Sequence, residues 1–301
     1  MKNQTIGTEI EFTGITREQA AAAVAGYFGT TATYTGGTYD AWTIKDSEGL
    51  VWKVLSDGSI KAQRKNARGA IVAADSTHRC ELVTPILGWA DIETLQGLVR
   101  SLRKAGAFTN ETCGQHVHIG AADMTATAMR NLVNNFASHE DLLFKALAVH
   151  ENRKSYCKPL DKGFLQRLNE NKPETQTEFG RIWYGCPPEY FPTIHYDSSR
   201  YQTLNLHAWF TKGTVEFRIF NGSLHAGEVK TAIQLCAALV ANAKAATRIL
   251  LKPVSTENAK FAMRTWLTRP TGLNLNGDEF KTLRHHLTKN LEGNAAWRHA
   301  S

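Results

Sequence analysis

Thr5-Ile6-Gly7-Thr8-Glu9-Ile10-Glu11-Phe12 alternates strictly. Ile6, Ile10 and Phe12 fall on one parity, and Gly7, Glu9 and Glu11 on the other. That is the period of a strand with one face buried and two carboxylates together on the opposite face. Thr16, with Gln19 three residues on, then opens a capping box before an alanine-rich run, so the spacing predicts a helix over 16–28.

The same alternation recurs downstream. Residues 41–45 and 50–55 flank Asp46-Ser47-Glu48-Gly49, a hairpin signal, and Ser56-Asp57-Gly58-Ser59 reads as another turn. A short strand over 80–85 ends at Pro85 and carries Glu81. Residues 115–119 form a strand with His116 and His118 on one face and Val117 and Ile119 on the other. The segments 203–210 and 214–220 read as two strands meeting at Lys212-Gly213. The first places Asn205 and His207 together, and the second Glu216 and Arg218. Helices are expected over 91–104, with Ile92, Leu95, Leu98, Val99 and Leu102 on one stripe. Others are expected over 124–149 (with a break near Ser138), 227–251, 258–267 and 279–291. Residues 151–197 hold five of the eight prolines and little periodicity. They read as helix fragments and loops forming a substrate-facing insert. With no repeat or linker, the pattern is α+β: hairpin-linked strands with helices packed around them. The expectation is one catalytic domain over 1–301, with the variable insert at 151–197 and C-terminal helices at 256–301.

Composition narrows the classes. The chain has 301 residues, 42% hydrophobic and 21% charged, with a formal charge of +7. This is ordinary globular composition. The densest basic stretch, Lys61, Arg64, Lys65 and Arg68, has no interleaved aromatics, which suits a surface loop or phosphate contact better than nucleic-acid recognition. Cys80, Cys113, Cys157, Cys186 and Cys236 are odd in number and form no C-x-x-C pair, against both a disulfide framework and a thiolate zinc site. No signal peptide precedes the first strand and no apolar run is long enough to span a membrane, so a cytoplasmic location is expected.

A solvated sheet face usually carries Lys, Thr, Ser and Gln. These faces carry Glu-x-Glu, His-x-His and Glu-x-Arg. If the strands share a sheet, several carboxylates converge, which is tolerable when a cation neutralises them. Mostly oxygen ligands suit Mg²⁺ or Mn²⁺. Zinc is the competing metal because of His116 and His118, although Gly120-Ala121-Ala122 follows where a further glutamate would be wanted. No P-loop and no G-x-S-x-G elbow is present.

Six motifs, in order, resemble those of the amidoligase family: Gly7-Thr8-Glu9-Ile10-Glu11-Phe12, Ser56-Asp57-Gly58-Ser59, Cys80-Glu81-Leu82-Val83-Thr84-Pro85, Cys113-Gly114-Gln115-His116-Val117-His118-Ile119, Arg200-Tyr201-Gln202-Thr203-Leu204-Asn205-Leu206 and Val215-Glu216-Phe217-Arg218-Ile219-Phe220-Asn221-Gly222. That family sits with the carboxylate–amine ligases of the glutamate–cysteine ligase and glutamine synthetase superfamily. The resemblance implies an antiparallel sheet curved into a half-funnel with helices outside, and ATP with two or three Mg²⁺ on the concave face. It implies amide formation through an acyl phosphate, between small-molecule or peptide carboxylate and amine substrates. It also implies metal ligands at Glu9, Glu11, Glu81, His118 and Glu216, with Asp57 as a further ligand or a neighbour of the ligands. Arg218 resembles the arginine on the nucleotide phosphates. Arg200, Tyr201 and Asn205 are similar to residues beside the acyl substrate or the phosphates. His116 is a ligand's partner, a substrate contact or a structural histidine, and His78 and His207 are structural. A phosphotransferase on the same scaffold is the alternative function, and the acid, the amine and the oligomeric state are left open.

Overall fold

One antiparallel sheet of eight strands carries these acidic residues in the computed structural model, which describes residues 1–194 and 196–294. The strands are β1 (Ile6–Phe12), β2 (Ala32–Gly36), β3 (Ala41–Lys45), β4 (Val51–Leu55), β7 (Cys80–Val83), β8 (Gly114–Gly120), β9 (Leu204–Asn205) and β10 (Thr214–Asn221), in the order β2-β3-β4-β7-β1-β8-β10-β9. Between β4 and β7, β5 (Gln63–Lys65) and β6 (Ile71–Ala73) form a separate two-stranded hairpin. The helices are α1 (Arg17–Phe28), α2 (Ile92–Lys104), α3 (Ala126–Leu147), α4 (Lys162–Asn171), α5 (Gln176–Tyr184), α6 (His207–Lys212), α7 (Ala226–Ala245), α8 (Ala259–Thr268) and α9 (Lys281–Thr288).

The apolar parity of each strand decides which side the helices cover. Ile6, Ile10, Phe12, Leu82, Val117, Ile119, Val215 and Phe217 are all buried, in one apolar core with the helices. Helix α1 lies on β3 and β4, α7 on β8 and α3 on β10, while α2 packs on both α1 and α7. Burying a side chain such as Phe12 or Leu82 contributes about 1.5–3 kcal/mol relative to leaving it in water. The polar parity is left for the other face of the sheet.

Helix α1 starts as its sequence requires. The Gln19 backbone N–H donates to Thr16 Oγ1, and the Gln19 side chain accepts from the Thr16 N–H. Thr16→Ala removes one half of this box. It is expected to cost about 1 kcal/mol, seen as a fall in Tm of about 2 °C for a chain of this length.

Four expectations need correction. Strand β2 is an addition: Ala32–Gly36 pairs with β3 at the sheet edge, with side chains too exposed to alternate. The expected strand over 203–210 is strand only at Leu204–Asn205, because β10 pairs with it at those two residues alone. The chain then turns into α6, so His207 and Phe210 lie on a helix. Helix α3 runs unbroken through Ser138, whose hydroxyl donates to the Asn134 carbonyl within the helix and accepts from the Lys252 N–H. Helix α7 ends at Ala245, short of 251, since Asn131 of α3 takes the Ala246 carbonyl and the Ile249 N–H. The expected C-terminal helices are α8 and α9, and residues 295–301 lie outside the described residues. Among the described residues no helix is long and apolar enough to cross a membrane.

Candidate active site

Strand register converts local alternation into a cluster. β1 lies between β7 and β8 and places Glu11 opposite Glu81 and Glu9 opposite His116. β8 places His118 opposite Glu216 of β10, and β9 adds Asn205 opposite Glu216. Every one of these residues is on the polar parity of its strand. Directly opposed side chains stand about 5 Å apart at Cβ, so the cluster follows from pairing alone. A β-bulge then sets Arg218 and Ile219 together against the single His116. The Arg218 N–H donates to the Thr203 carbonyl at 2.8 Å, and its guanidinium pairs with Glu216.

Among the described residues, three triads have ligand atoms within 4.8 Å of one another: Glu9, His118 and Glu216; Glu9, Glu81 and His116; Glu11, Asp57 and Glu81. They run in a row across the sheet, and Glu9 and Glu81 each belong to two. His116 Nδ1 lies 3.0 Å from Glu9 Oε2, and His118 Nε2 lies 3.5 Å from Glu9 Oε1. Asn205 Nδ2 donates to Glu216 Oε2 at 2.5 Å, and the Gly114 N–H donates to Glu11 Oε2 at 2.6 Å.

The charges are strained against one another. Burial raises the Glu81 carboxyl well above the usual carboxylate range, and the charges of Glu9, Glu11 and Asp57 push it further. Glu11 is also raised, by burial first; His116 opposes the rise and Asp57 adds to it. Burial works against ionised Glu9 too, but His116 and His118 hold it well below the usual range. Glu216 is likewise lowered, because Arg218 and the two histidines outweigh its burial. For His118, burial favours the neutral ring, but Glu216 and Glu9 prevail and raise it.

This donor set fits a hard divalent cation. Five carboxylates and two imidazoles converge; among the described residues buried Asn205 Oδ1 has no hydrogen-bond partner, and buried His118 Nε2 has only the long 3.5 Å contact to Glu9 Oε1. A buried polar atom left unbonded costs about 1–3 kcal/mol, which a cation beside His118 would offset. Mostly oxygen donors favour Mg²⁺ or Mn²⁺ over Zn²⁺.

Above the acids is a cleft of 430 Å³, lined among others by Glu9, Glu11, Asp57, Glu81, His116 and Arg218. Arg200 and Tyr201 also line it, with the Arg200 guanidinium 5.3 Å above the Tyr196 ring and 5.8 Å above that of Tyr201. A larger cavity of 740 Å³, between α3, α7 and α8, lies apart from these acids. Its amides and indole bond one another: Trp266 Nε1 to Asn135 Oδ1, and Asn135 Nδ2 to Asn242 Oδ1.

The structure therefore brings together Glu9, Glu11, Asp57, Glu81, His118, Asn205, Glu216 and Arg218, with Arg200 and Tyr201 on the cleft wall. His116 stands at their centre. His78 bonds within its own turn, to Asp75 and Thr77, and His207 bonds to the Tyr184 hydroxyl and the Ile194 carbonyl. The segment 151–197 contributes at its ends: Tyr156 and Tyr196 line the cleft, and the Tyr196 hydroxyl bonds that of Tyr39. Its middle packs away from the cleft, with Phe164, Leu168, Phe179 and Trp183 in the core.

Arg153 is the residue that sequence reasoning missed. It is 3% exposed, donates to the Arg218 carbonyl within the bulge and the Phe220 carbonyl just after it, and sits over Gly114. Nothing local marks it, because its partners lie 65 and 67 residues away. A Cβ at Gly114 would run into the Arg153 guanidinium. Gly114→Ala is therefore expected to cost about 1–3 kcal/mol by overpacking, measured by denaturant unfolding, and to loosen the strand that carries Arg218.

A family described as "putative amidoligase enzyme" matches residues 2–240. The chain belongs to this family. The match bears out the resemblance read from the six motifs. It covers every strand of the sheet and every candidate ligand from Glu9 to Glu216, and it stops within α7, before α8 and α9. No curated protein matches the chain.

Proposed function

We propose that the protein is an ATP-dependent carboxylate–amine ligase, one catalytic domain that forms an amide bond through an acyl-phosphate intermediate on the acidic face of its sheet. The observation that carries this reading is the row of three acidic triads ending at the Glu216–Arg218 pair, in a chain of the amidoligase family. The fold we infer is the half-funnel of the glutamine synthetase and glutamate–cysteine ligase superfamily, with the eight-stranded sheet as its wall. The five free cysteines suit a reducing, cytoplasmic setting.

In this reading Glu9, Glu11, Glu81, His118 and Glu216 would hold Mg²⁺ (or Mn²⁺), with Asp57 completing the triad of Glu11 and Glu81. Bound Mg²⁺ would supply positive charge to offset the negative charge of a transferring phosphoryl group. Arg218 presents a planar fork of donors, suited to phosphate oxygens. Glu216 fixes its direction, and Arg153 fixes the backbone behind it. Arg200 and Tyr201 stand beside Arg218, whose guanidinium lies 5.9 Å above the Tyr201 ring, and would hold the carboxylate or the transferred phosphoryl group, while Asn205 keeps Glu216 in place. Tyr39, Tyr156 and Tyr196 line the cleft and would present ring surface to a bound substrate, in keeping with the shielding from water that an acyl phosphate requires.

The deciding experiment incubates the protein with Mg²⁺, ATP and panels of carboxylates and amines, and follows ADP and phosphate release with mass spectrometry of the products. A ligase yields ADP, phosphate and an amide in equal amounts. ADP with a stable phosphorylated product and no free phosphate would replace this reading with a phosphotransferase.

A further inference from the structure

The fourteen residues from Lys61 to Ala74 contain four cations and no acid. They form the β5–β6 hairpin, and both of its ends run into the cleft. Ser59, two residues before Lys61, lines the cleft, and β7 beyond it carries Glu81. The hairpin base is pinned to the cleft rim: the Lys61 N–H donates to Thr112 Oγ1, and Thr112 is itself a lining residue. Asn110 Nδ2 donates to the Lys61 carbonyl and to Gln63 Oε1, and the Gly14 N–H donates to the Gln63 carbonyl. Lys61 pairs with Glu111, whereas Arg64, Lys65 and Arg68 are exposed and make no ion pair among the described residues.

The two edges of the hairpin differ. The outer edge of β5 is covered at Arg64 by Gly14. The Asn66 N–H donates to the Ala70 carbonyl and the Ala74 N–H to the Ala62 carbonyl, so by antiparallel alternation Arg64 and Val72 share the bond pair between them. The N–H and C=O groups of Ile71 and Ala73 then point outward, and no strand pairs there among the described residues. A cation on the exposed strand itself is one common device by which an edge avoids aggregation. Here that strand is Ile71-Val72-Ala73, with Ile71 56% exposed, and the cations lie on β5 and the turn behind it.

We propose that the outer edge of β6 is a docking strand for an extended acidic peptide, which adds to the hairpin and leads a carboxylate into the cleft. Strand addition supplies backbone bonds. Arg64 and Lys65, on opposite faces of β5, meet acidic side chains that alternate across the added strand. Nucleic acid is the poorer fit, because the hairpin itself carries no aromatic ring to stack a base and the cleft beyond it is lined with carboxylates. An eight-residue strand reaches about 26 Å, enough to run from the hairpin edge toward the acids. The carboxylate's fate in the cleft rests on the ligase reading, but its docking does not.

The test is fluorescence anisotropy with fluorescein-labelled octaglutamate, a chain that self-repulsion keeps extended, at low and high salt and without nucleotide. The parent is expected to bind it and not a labelled (Ser-Gly)4 peptide, with affinity falling as salt rises. The variant with Arg64→Gln, Lys65→Gln and Arg68→Gln is expected to bind about tenfold more weakly, the loss set by three exposed charge pairs. Ala73→Pro deletes an outward N–H and no charge, and should also weaken binding. Unchanged circular dichroism and unchanged Mg²⁺–ATP binding show that each variant is folded. Equal octaglutamate binding by parent and either variant, or tighter binding of an eight-residue oligothymidylate, would overturn the proposal. Octaglutamate that binds but supports no ADP release with any amine counts against the ligase reading and leaves the docking strand standing.

Discussion

Glu9→Gln is expected to abolish Mg²⁺-dependent nucleotide binding, with affinity for an ATP analogue and the rate of ADP release each falling roughly 100-fold or more. Loss of even a group that only supports a ligand typically costs 10–100-fold in metal affinity, and Glu9 belongs to two of the three triads. The substitution keeps the side chain's size and removes one charge. It also turns one of the two oxygens that face His116 Nδ1 and His118 Nε2 into an amide donor. In the metal-free protein two effects oppose one another: the substitution relieves the repulsion that Glu9 exerts on Glu81, and it gives up the pairing with His116 and His118 that holds Glu9 ionised. Isothermal titration with Mg²⁺ and the analogue should show binding lost. In thermal unfolding, the rise in Tm that Mg²⁺ and the analogue give the parent should disappear. A variant that binds and turns over normally would remove Glu9, and with it the shared centre of the site, from the mechanism.

That site was half legible in the sequence. Which side chains share a face is a local property of a strand, so Glu9 with Glu11, His116 with His118 and Glu216 with Arg218 could be paired by counting in twos. The Thr16–Gln19 box and the hairpin at 46–49 are equally local, and both stand in the structure. Which strands lie side by side is not local. That β1 runs between β7 and β8, so that Glu11 meets Glu81 and Glu9 meets His116, depends on closing loops of about 70 and 105 residues. The same holds for Arg153, the Tyr39–Tyr196 bond and the bulge behind Arg218, each defined by partners far along the chain. The segment 203–210 failed for the opposite reason. Its apolar residues fit a strand over two positions and a helix over the next six, and only the two-residue pairing with β10 decides where one ends.

Glu140 lies outside the cleft, yet it should control the pH dependence of stability. It projects from α3, where its carboxylate accepts from Thr203 Oγ1 and from the Leu160 N–H, and it is 7% exposed. Burial lifts its carboxyl from an ordinary value near 4.5 to about 7, more than the bonds from Thr203 and Leu160 lower it. A folded value above the unfolded one means that the folded chain holds the proton longer. The resulting stability is complete below about pH 4.5 and is lost as pH rises through 7. A difference of this size is worth about 3 kcal/mol. Glu140→Gln keeps an acceptor for Thr203 and Leu160 and cannot ionise. The stability of the parent minus that of the variant should therefore fall by about 3 kcal/mol between pH 4.5 and 8, measured by denaturant unfolding at a series of pH values. Taking the difference cancels Glu81, Glu11 and every other group the two proteins share. Parallel curves would mean that Glu140 is ionised throughout, with its charge fully met by its two donors. The effect should extend toward the cleft, because the Thr203 carbonyl is the acceptor for the Arg218 N–H. An ionised Glu140 draws on the Thr203 side chain, whereas the neutral amide that Glu140→Gln puts in its place leaves that backbone anchor as stable at pH 8 as at pH 6.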